Sequence, residues 1–175
     1  MSTKVTGDAA LGTAKAPPLV ARTLNKLTAP NSAPAPILKA HRWLYERTAG
    51  RLGPGMIGAW TLLLRTTGRR TGARRTTALV FARDGQRFVL AASNDGKAEA
   101  PAWLLNVRSN PAVELQVGRS RFLGRAAVLG RSDPDYPRLW ELMNATNNRR
   151  YDFYQAKTSR PIPVVVVTPA DARER

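Results

Sequence analysis

Few side chains in this sequence can do covalent chemistry of their own, and those that stand out are cationic. Arg65, Arg69, Arg70, Arg74 and Arg75 fall within eleven residues of the stretch LLLRTTGRRTGARRTTALVF (62–81), and no acid lies between Glu46 and Asp84. Guanidinium groups form planar, charge-assisted forks to phosphate and carboxylate, so this stretch is suited to holding an anion. Gly68 and Gly72 can take positive φ, which lets a turn aim its N–H groups inward as an anion nest around Thr71. The same run also reads as a solvated, charged hairpin tip. It is not a Walker A loop, because G-x-x-x-x-G-K-[ST] is absent. If Arg75 begins a strand, Arg74 and Arg75 point to opposite faces, and only some of the five arginines reach one ligand.

Other groups are sparse. The 175-residue chain has no cysteine, which removes disulfides, thiolate nucleophiles and iron–sulfur clusters. It has one histidine, His41, so a multi-histidine metal site is impossible and no metal is expected. No G-x-S-x-G motif supports a serine nucleophile. Any reaction is therefore expected to come from a bound cofactor. Two pairs sit three residues apart: Trp103 with Asn106, able to share a helical face, and Tyr151 with Tyr154, whose hydroxyls can bond a substrate oxygen or donate a proton. Each pair also reads as ordinary packing against a core.

The net charge is +16, with 28 − 6 = 22 arginines beside six lysines, and 43% of residues are hydrophobic. That bounds one domain with a real core and a polyanionic partner, whether cofactor, anionic membrane or nucleic acid. No run reaches the ~18 apolar residues of a transmembrane helix. The N-terminus lacks an apolar h-region, so a cytoplasmic location is expected.

Residues 1–35 are rich in Ala, Pro, Thr and Ser and read as a flexible tail. Residues 36–49 have helical spacing, with Lys39, Arg42 and Glu46 mostly opposite the apolar side, and this basic face beside His41 is a possible contact with an anionic membrane. Strands are expected at 59–67 and 75–83, flanking the arginine turn. A third, at 86–93, follows the hairpin signal Asp84–Gly85. A short helix opens at Pro101. Strands at 112–118 and 121–130 form a second hairpin. A helix begins near Pro134 and continues through RRYDFYQAK, and the β-branched run before Pro169 closes the chain as a central strand. About six mostly antiparallel strands with inserted short helices give an α+β, barrel-like sheet in a domain spanning 36–175.

Three motifs, in order, resemble the deazaflavin-dependent nitroreductase family. LLLRTTGRRTGARRTTAL resembles its phosphate-binding stretch. FVLAASNDGKAEAPAWLLNVRSNPAVELQV (88–117) resembles its A-A-S-x-G-G and P-x-W-x-x-N-L-x-x-N-P segments, and YDFYQAKTSRPIPVVVVTP (151–169) its final tyrosine and I-P-V-V segment. The resemblance covers about 36–169 and implies a split β-barrel that binds coenzyme F420, a deazaflavin with a phosphodiester and an oligoglutamyl tail. It implies that Arg70 and Arg75 meet the phosphate, with Arg69 toward the tail. Gly68, Thr71 and Gly72 would shape the turn. Ala78, Leu79 and Val80 would offer backbone to the ring. Ser93 and Asn94 would lie at the ring, beside Trp103 and Asn106. Arg70 replaces the family's usual lysine, and Asn94-Asp95-Gly96 replaces its Lys-Gly-Gly. Ala102 often corresponds to a larger residue.

The activity implied is hydride transfer from reduced F420 to an electron-poor acceptor, a quinone, enone or nitroaromatic, by a monomer or homodimer, with Tyr154, Tyr151 or water supplying the proton. One alternative is a split barrel that binds flavin mononucleotide or haem, but flavin mononucleotide has a single phosphate and needs no such long cradle. A basic nucleic-acid-binding domain is the other, although no RNP-like aromatic–basic interleaving or helix-turn-helix is present. Deleting residues 1–35 is expected to leave folding and F420 affinity nearly intact; a truncated protein that is insoluble or loses the cofactor would make the tail part of the domain.

Overall fold

Alternating side chains set the two layers of this molecule. In the computed structural model, which describes residues 61–170, Phe88 and Leu90 point to one side of their strand and Val89 and Ala91 to the other, and all four are buried. Val165 and Val167 join the first pair, and Val164 and Val166 the second, so the last strand is apolar on both faces because it is covered on both. The tail, the helix expected at 36–49 with His41, and the start of the first strand lie outside the described residues.

Among the described residues, seven strands form one antiparallel sheet: β1 (Thr61–Thr67), β2 (Arg74–Val80), β3 (Ala82–Asp84), β4 (Arg87–Ala91), β5 (Ala112–Val117), β6 (Ser120–Leu129) and β7 (Val164–Pro169). Their order is β2-β1-β5-β6-β7-β4-β3. Among the described residues, three α-helices, α1 (Ala102–Ser109), α2 (Tyr136–Thr146) and α3 (Arg150–Ala156), are inserted between strands. The expected α+β split barrel is present, and β7 lies between β6 and β4 as its composition requires.

The single strand expected at 75–83 is two strands at opposite ends of the sheet. β2 pairs with β1 up to Val80, and β3 pairs with β4 from Ala82. Phe81 joins them, 3% exposed, its ring centroid 5.7 Å from that of Phe88. One buried residue thus links the two ends of the sheet, which must curl to bring them together.

Inside the curl lies the first core, where α1 contributes Trp103, Leu104 and Val107 against Leu62, Leu64, Leu115 and Val165. The second core lies on the other face, between β4 and β7 and the residues Leu139, Met143, Tyr151 and Tyr154 of α2 and α3. The helix expected to run on through residues 149–157 is broken. Asn148 and Arg149 take positive φ (50° and 56°) and start α3 afresh. A side-chain tie across the break stabilises this. Asn144 Nδ2 and Trp140 Nε1 donate to Asp152 Oδ1 at 2.7 and 2.9 Å, and the Asp152 N–H donates to Asn144 Oδ1 at 3.1 Å. Helix α2 itself starts at Tyr136, two residues beyond Pro134. Among the described residues, no helix is long and apolar enough to cross a membrane.

The Asp84–Gly85 hairpin is anchored to α2 by charge. Arg138 donates to both oxygens of Asp84 at 2.7 and 3.1 Å, and Arg87 pairs with the same carboxylate. The Arg138 fork is the chief cause of holding the Asp84 carboxyl down to about 2. Its folded-state value lies below that of the unfolded chain. The stabilisation is therefore fully present above the ordinary aspartate range and is lost as pH falls through about 2. Asp84→Asn should lower stability at neutral pH and flatten the acid dependence of unfolding between about pH 4 and pH 2, as read by denaturant titration at each pH. A second test concerns the β6–β7 contact, where a Cβ on Gly124 would stand 2.7 Å from Thr168 O. Gly124→Ala is expected to cost about 1–3 kcal/mol of stability by overpacking, measured by thermal unfolding.

Candidate active site

The turn between β1 and β2 is closed by its own backbone. The Gly68 N–H donates to Ala73 O at 2.8 Å, and the Gly72 N–H to Gly68 O at 2.8 Å. The Thr71 N–H also bonds Gly68 O, and the Ala73 N–H bonds Thr71 Oγ1. Gly72 is left-handed at φ 67°, whereas Gly68 is needed for close approach, since a Cβ there would meet Ala73 O at 3.0 Å. These bonds engage the N–H groups of Gly68, Thr71, Gly72 and Ala73 within the turn itself, which leaves side chains as the main anion-binding groups it presents.

The five arginines separate into two groups. Arg65 Nη1 donates to Glu114 Oε1 at 3.1 Å and its Nη2 to Gln116 Oε1 at 2.6 Å, while Arg74 pairs with the other Glu114 oxygen. Arg121 stands 3.8 Å from the same carboxylate. Arg69, Arg70 and Arg75 instead line an open cleft of about 440 Å³. Among the described residues, no carboxylate pairs with any of these three. The alternation expected at Arg74 and Arg75 thus sends one to an acid and the other to the cleft.

Three elements build that cleft. The turn supplies Gly68, Arg69, Arg70 and Thr71; β2 supplies Arg75, Thr76 and Thr77; α1 supplies Ala102, Trp103 and Asn106. Trp103 is 6% exposed and belongs to the inner core as well. Asn106 is 5% exposed. Its Oδ1 accepts from the Arg69 N–H at 3.1 Å and its Nδ2 donates to Thr66 Oγ1 at 3.1 Å. Trp103 and Asn106 do share one helical face. Thr76 and Thr77 were not legible as site residues, because nothing distinguishes them from ordinary strand threonines.

The remaining expected residues lie outside the cleft lining. Gly72 belongs to the turn but not to the cleft lining. Ala78, Leu79 and Val80 continue β2, which among the described strands pairs only with β1. Ser93 lies two residues past β4 and caps a 3-10 turn, Asn94–Gly96, in which Asn94 and Asp95 have φ of 49° and 56°. Asn94 Nδ2 donates to Glu99 O at 2.9 Å. Arg160 holds this turn from behind, donating to Ala92 O at 3.3 Å and Ser93 O at 3.0 Å. Sequence reasoning assigned Arg160 no role, and only its place in the last motif could have flagged it.

Tyr151 and Tyr154 are each 5% exposed, with ring centroids 6.2 Å apart, in the second core. Tyr151 bonds the Asn147 side chain, and burial pushes its phenol up, so it stays protonated. The pair still adjoins the Ser93 turn, since a Cβ on Gly96 would meet Tyr154 O at 2.7 Å. No three His, Cys, Asp or Glu side chains converge among the described residues.

Comparison with known proteins agrees with this geometry. A sequence model described as F420H(2)-dependent quinone reductase matches residues 37–169. An F420H(2)-dependent quinone reductase of Mycobacterium tuberculosis is 47% identical over 133 residues, spanning 75% of this chain and 89% of that one. Among solved structures, an F420-H2 dependent reductase is similar with a TM-score of 0.56 at 30% identity, over 61% of this chain and 92% of its own. A domain-swapped dimer is similar with a TM-score of 0.58 at 27% identity, over 76% and 99%. With a curled antiparallel sheet, an arginine-lined cleft and a match along most of its length, the chain belongs to the F420H(2)-dependent quinone reductase family.

Proposed function

We propose that the protein reduces a quinone at the expense of reduced F420, and that Arg69, Arg70 and Arg75 hold the anionic part of that cofactor. The observation that carries this reading is the division of charge. Arg65 and Arg74, on the strands flanking the turn, pair with Glu114, whereas Arg69, Arg70 and Arg75 line a cleft and pair with no carboxylate of the described residues. A phosphodiester followed by a chain of glutamates is an elongated polyanion, and three guanidinium forks on one wall suit it. Thr71 lies in the same turn, and Thr77, two residues beyond Arg75 on β2, adds a hydroxyl on the face that carries Arg75. Gly68 and Gly72 shape the turn, and the backbone edge of Ala78, Leu79 and Val80 that no described strand pairs would bond the polar edge of the deazaflavin. Ser93 and Asn94 would flank the ring, beside Trp103.

When bound, reduced F420 supplies a hydride from its C5. The protein's part is to fix distance and orientation, exclude water and deliver the accompanying proton. Tyr151 and Tyr154 lie against the Ser93 turn, and their hydroxyls, or a water held there, are assigned that proton. The names of the relatives favour a quinone acceptor over the enone or nitroaromatic that the same chemistry would reduce. A lipid-soluble quinone would also suit an enzyme resting on an anionic membrane surface.

Titration of F420 by its intrinsic fluorescence tests the cradle. Arg70→Ala and Arg75→Ala should each weaken binding by about 10- to 100-fold, the loss of a ~1.5–3 kcal/mol charge-assisted bond, and charge reversal to Glu should cost more. Arg74→Ala should stay within about threefold of wild type, because its partner is Glu114. Unchanged affinity in both the Arg70 and Arg75 variants would remove the assignment. For the tyrosines, Tyr151→Phe and Tyr154→Phe should keep F420 affinity and lower turnover with a quinone. A fall of ~10²–10⁴-fold marks a general acid, and a smaller change, mainly in KM, marks an orienting hydroxyl. Wild-type kinetics in both variants and in the double variant would leave the pair as packing aromatics.

A further inference from the structure

From the same geometry we infer that Asn106 is a positioning residue, which locks the arginine turn in place from α1 and is itself aimed by Thr66. This inference rests on the reading of the cleft as the polyanion site. The side-chain amide can face only one way. A backbone N–H can only donate, so the oxygen must face Arg69, which leaves the Asn106 Nδ2 facing Thr66 Oγ1, as observed at 3.1 Å. Asn106 is 5% exposed and Thr66 3% exposed, so water does not compete freely for either bond.

The hydrogen bonds of the turn show why this bond matters. Those made by Gly68, Thr71, Gly72 and Ala73 stay within the turn and its base. Among the described residues, Arg69 N–H to Asn106 Oδ1 is the one hydrogen bond that runs from residues 69–72 to another element. Without it, an exposed loop with a left-handed glycine would carry Arg69 and Arg70 through many orientations. Ordering them on the ligand would then cost affinity. Asn106 therefore acts on binding by preorganisation, through Arg69, and Thr66 acts through Asn106.

Thr66 makes the idea testable, because it is buried and does not line the cleft. Thr66→Val keeps the shape and removes the hydroxyl, so any effect on ligand binding must be transmitted. F420 affinity should fall about 3- to 10-fold in Thr66→Val, the loss of one buried hydrogen bond, and return to wild type in Thr66→Ser. Asn106→Leu should fall further, and Arg70→Ala should cost less in that background than in the wild type, as coupled residues do in a double-mutant cycle. Amide hydrogen exchange at Arg69, read without ligand, should be slow in the wild type and Thr66→Ser and fast in Thr66→Val and Asn106→Leu. If Asn106→Leu does not fold, the Thr66 pair still decides. Wild-type affinity and slow Arg69 exchange in Thr66→Val would overturn the lock, and so would strictly additive effects of Asn106→Leu and Arg70→Ala. A wild-type protein that takes up no F420 would instead refute the proposed cofactor role of the cleft, while Arg69 exchange in the variants would still support or overturn the lock.

Discussion

The run from Arg74 to Asp84 has to serve both ends of the sheet. Its first half pairs with β1 and its last three residues with β4, and one buried phenylalanine separates the two registers. A flat seven-stranded sheet would hold these ends far apart, so the covalent link at Phe81 requires the sheet to curl. The curl creates an interior that α1 fills with Trp103, Leu104 and Val107. It also leaves β2, among the described strands, with a neighbour on one side only. The cleft forms there, between that outer strand, the turn preceding it and the helix that plugs the curl.

Charge is organised around this geometry. Glu114 lies directly across from Arg65 in the β1–β5 register and also reaches Arg74, so one carboxylate engages both of these arginines. Arg69, Arg70 and Arg75 line the cleft without a carboxylate partner among the described residues, a concentration of positive charge that an anionic ligand would relieve. Asp84, the next acid along the chain, is held by Arg87 and Arg138 and takes no part. The second turn near the site is organised by a cation rather than an acid. Arg160 forks onto the carbonyls of Ala92 and Ser93, and its lowered pKa follows from burial, with a smaller effect of Arg108.

Much of the fold was legible because its signals are local. Asp84–Gly85 makes a hairpin by its own turn chemistry, Gly85 taking φ 60°. The unbroken valine run of β7 announced a strand covered on both faces. The breaks were not legible. RTTALVFAR is a continuous run of strand formers, and only pairing with two different partners divides it. The residues before α3 carry no glycine or proline, and the left-handed pair Asn148–Arg149 is compensated by the Asn144–Asp152 tie, a contact across eight residues.

By itself, the sequence determined that five arginines and two glycines would crowd one turn, and its motif order pointed to the family and the cofactor class. Those properties depend on residue identity and short spacing. It could not say which arginines would remain for a ligand. The acid that removes two of them lies 40 and 49 residues away, and it reaches them only through the register of β1 between β2 and β5. Nor could it show that Asn106 faces the turn backbone, 37 residues distant, or that the N–H groups of Gly68, Thr71, Gly72 and Ala73 are bonded within the turn. Tertiary structure decided both, because pairing register and helix placement determine which polar groups find partners within the protein.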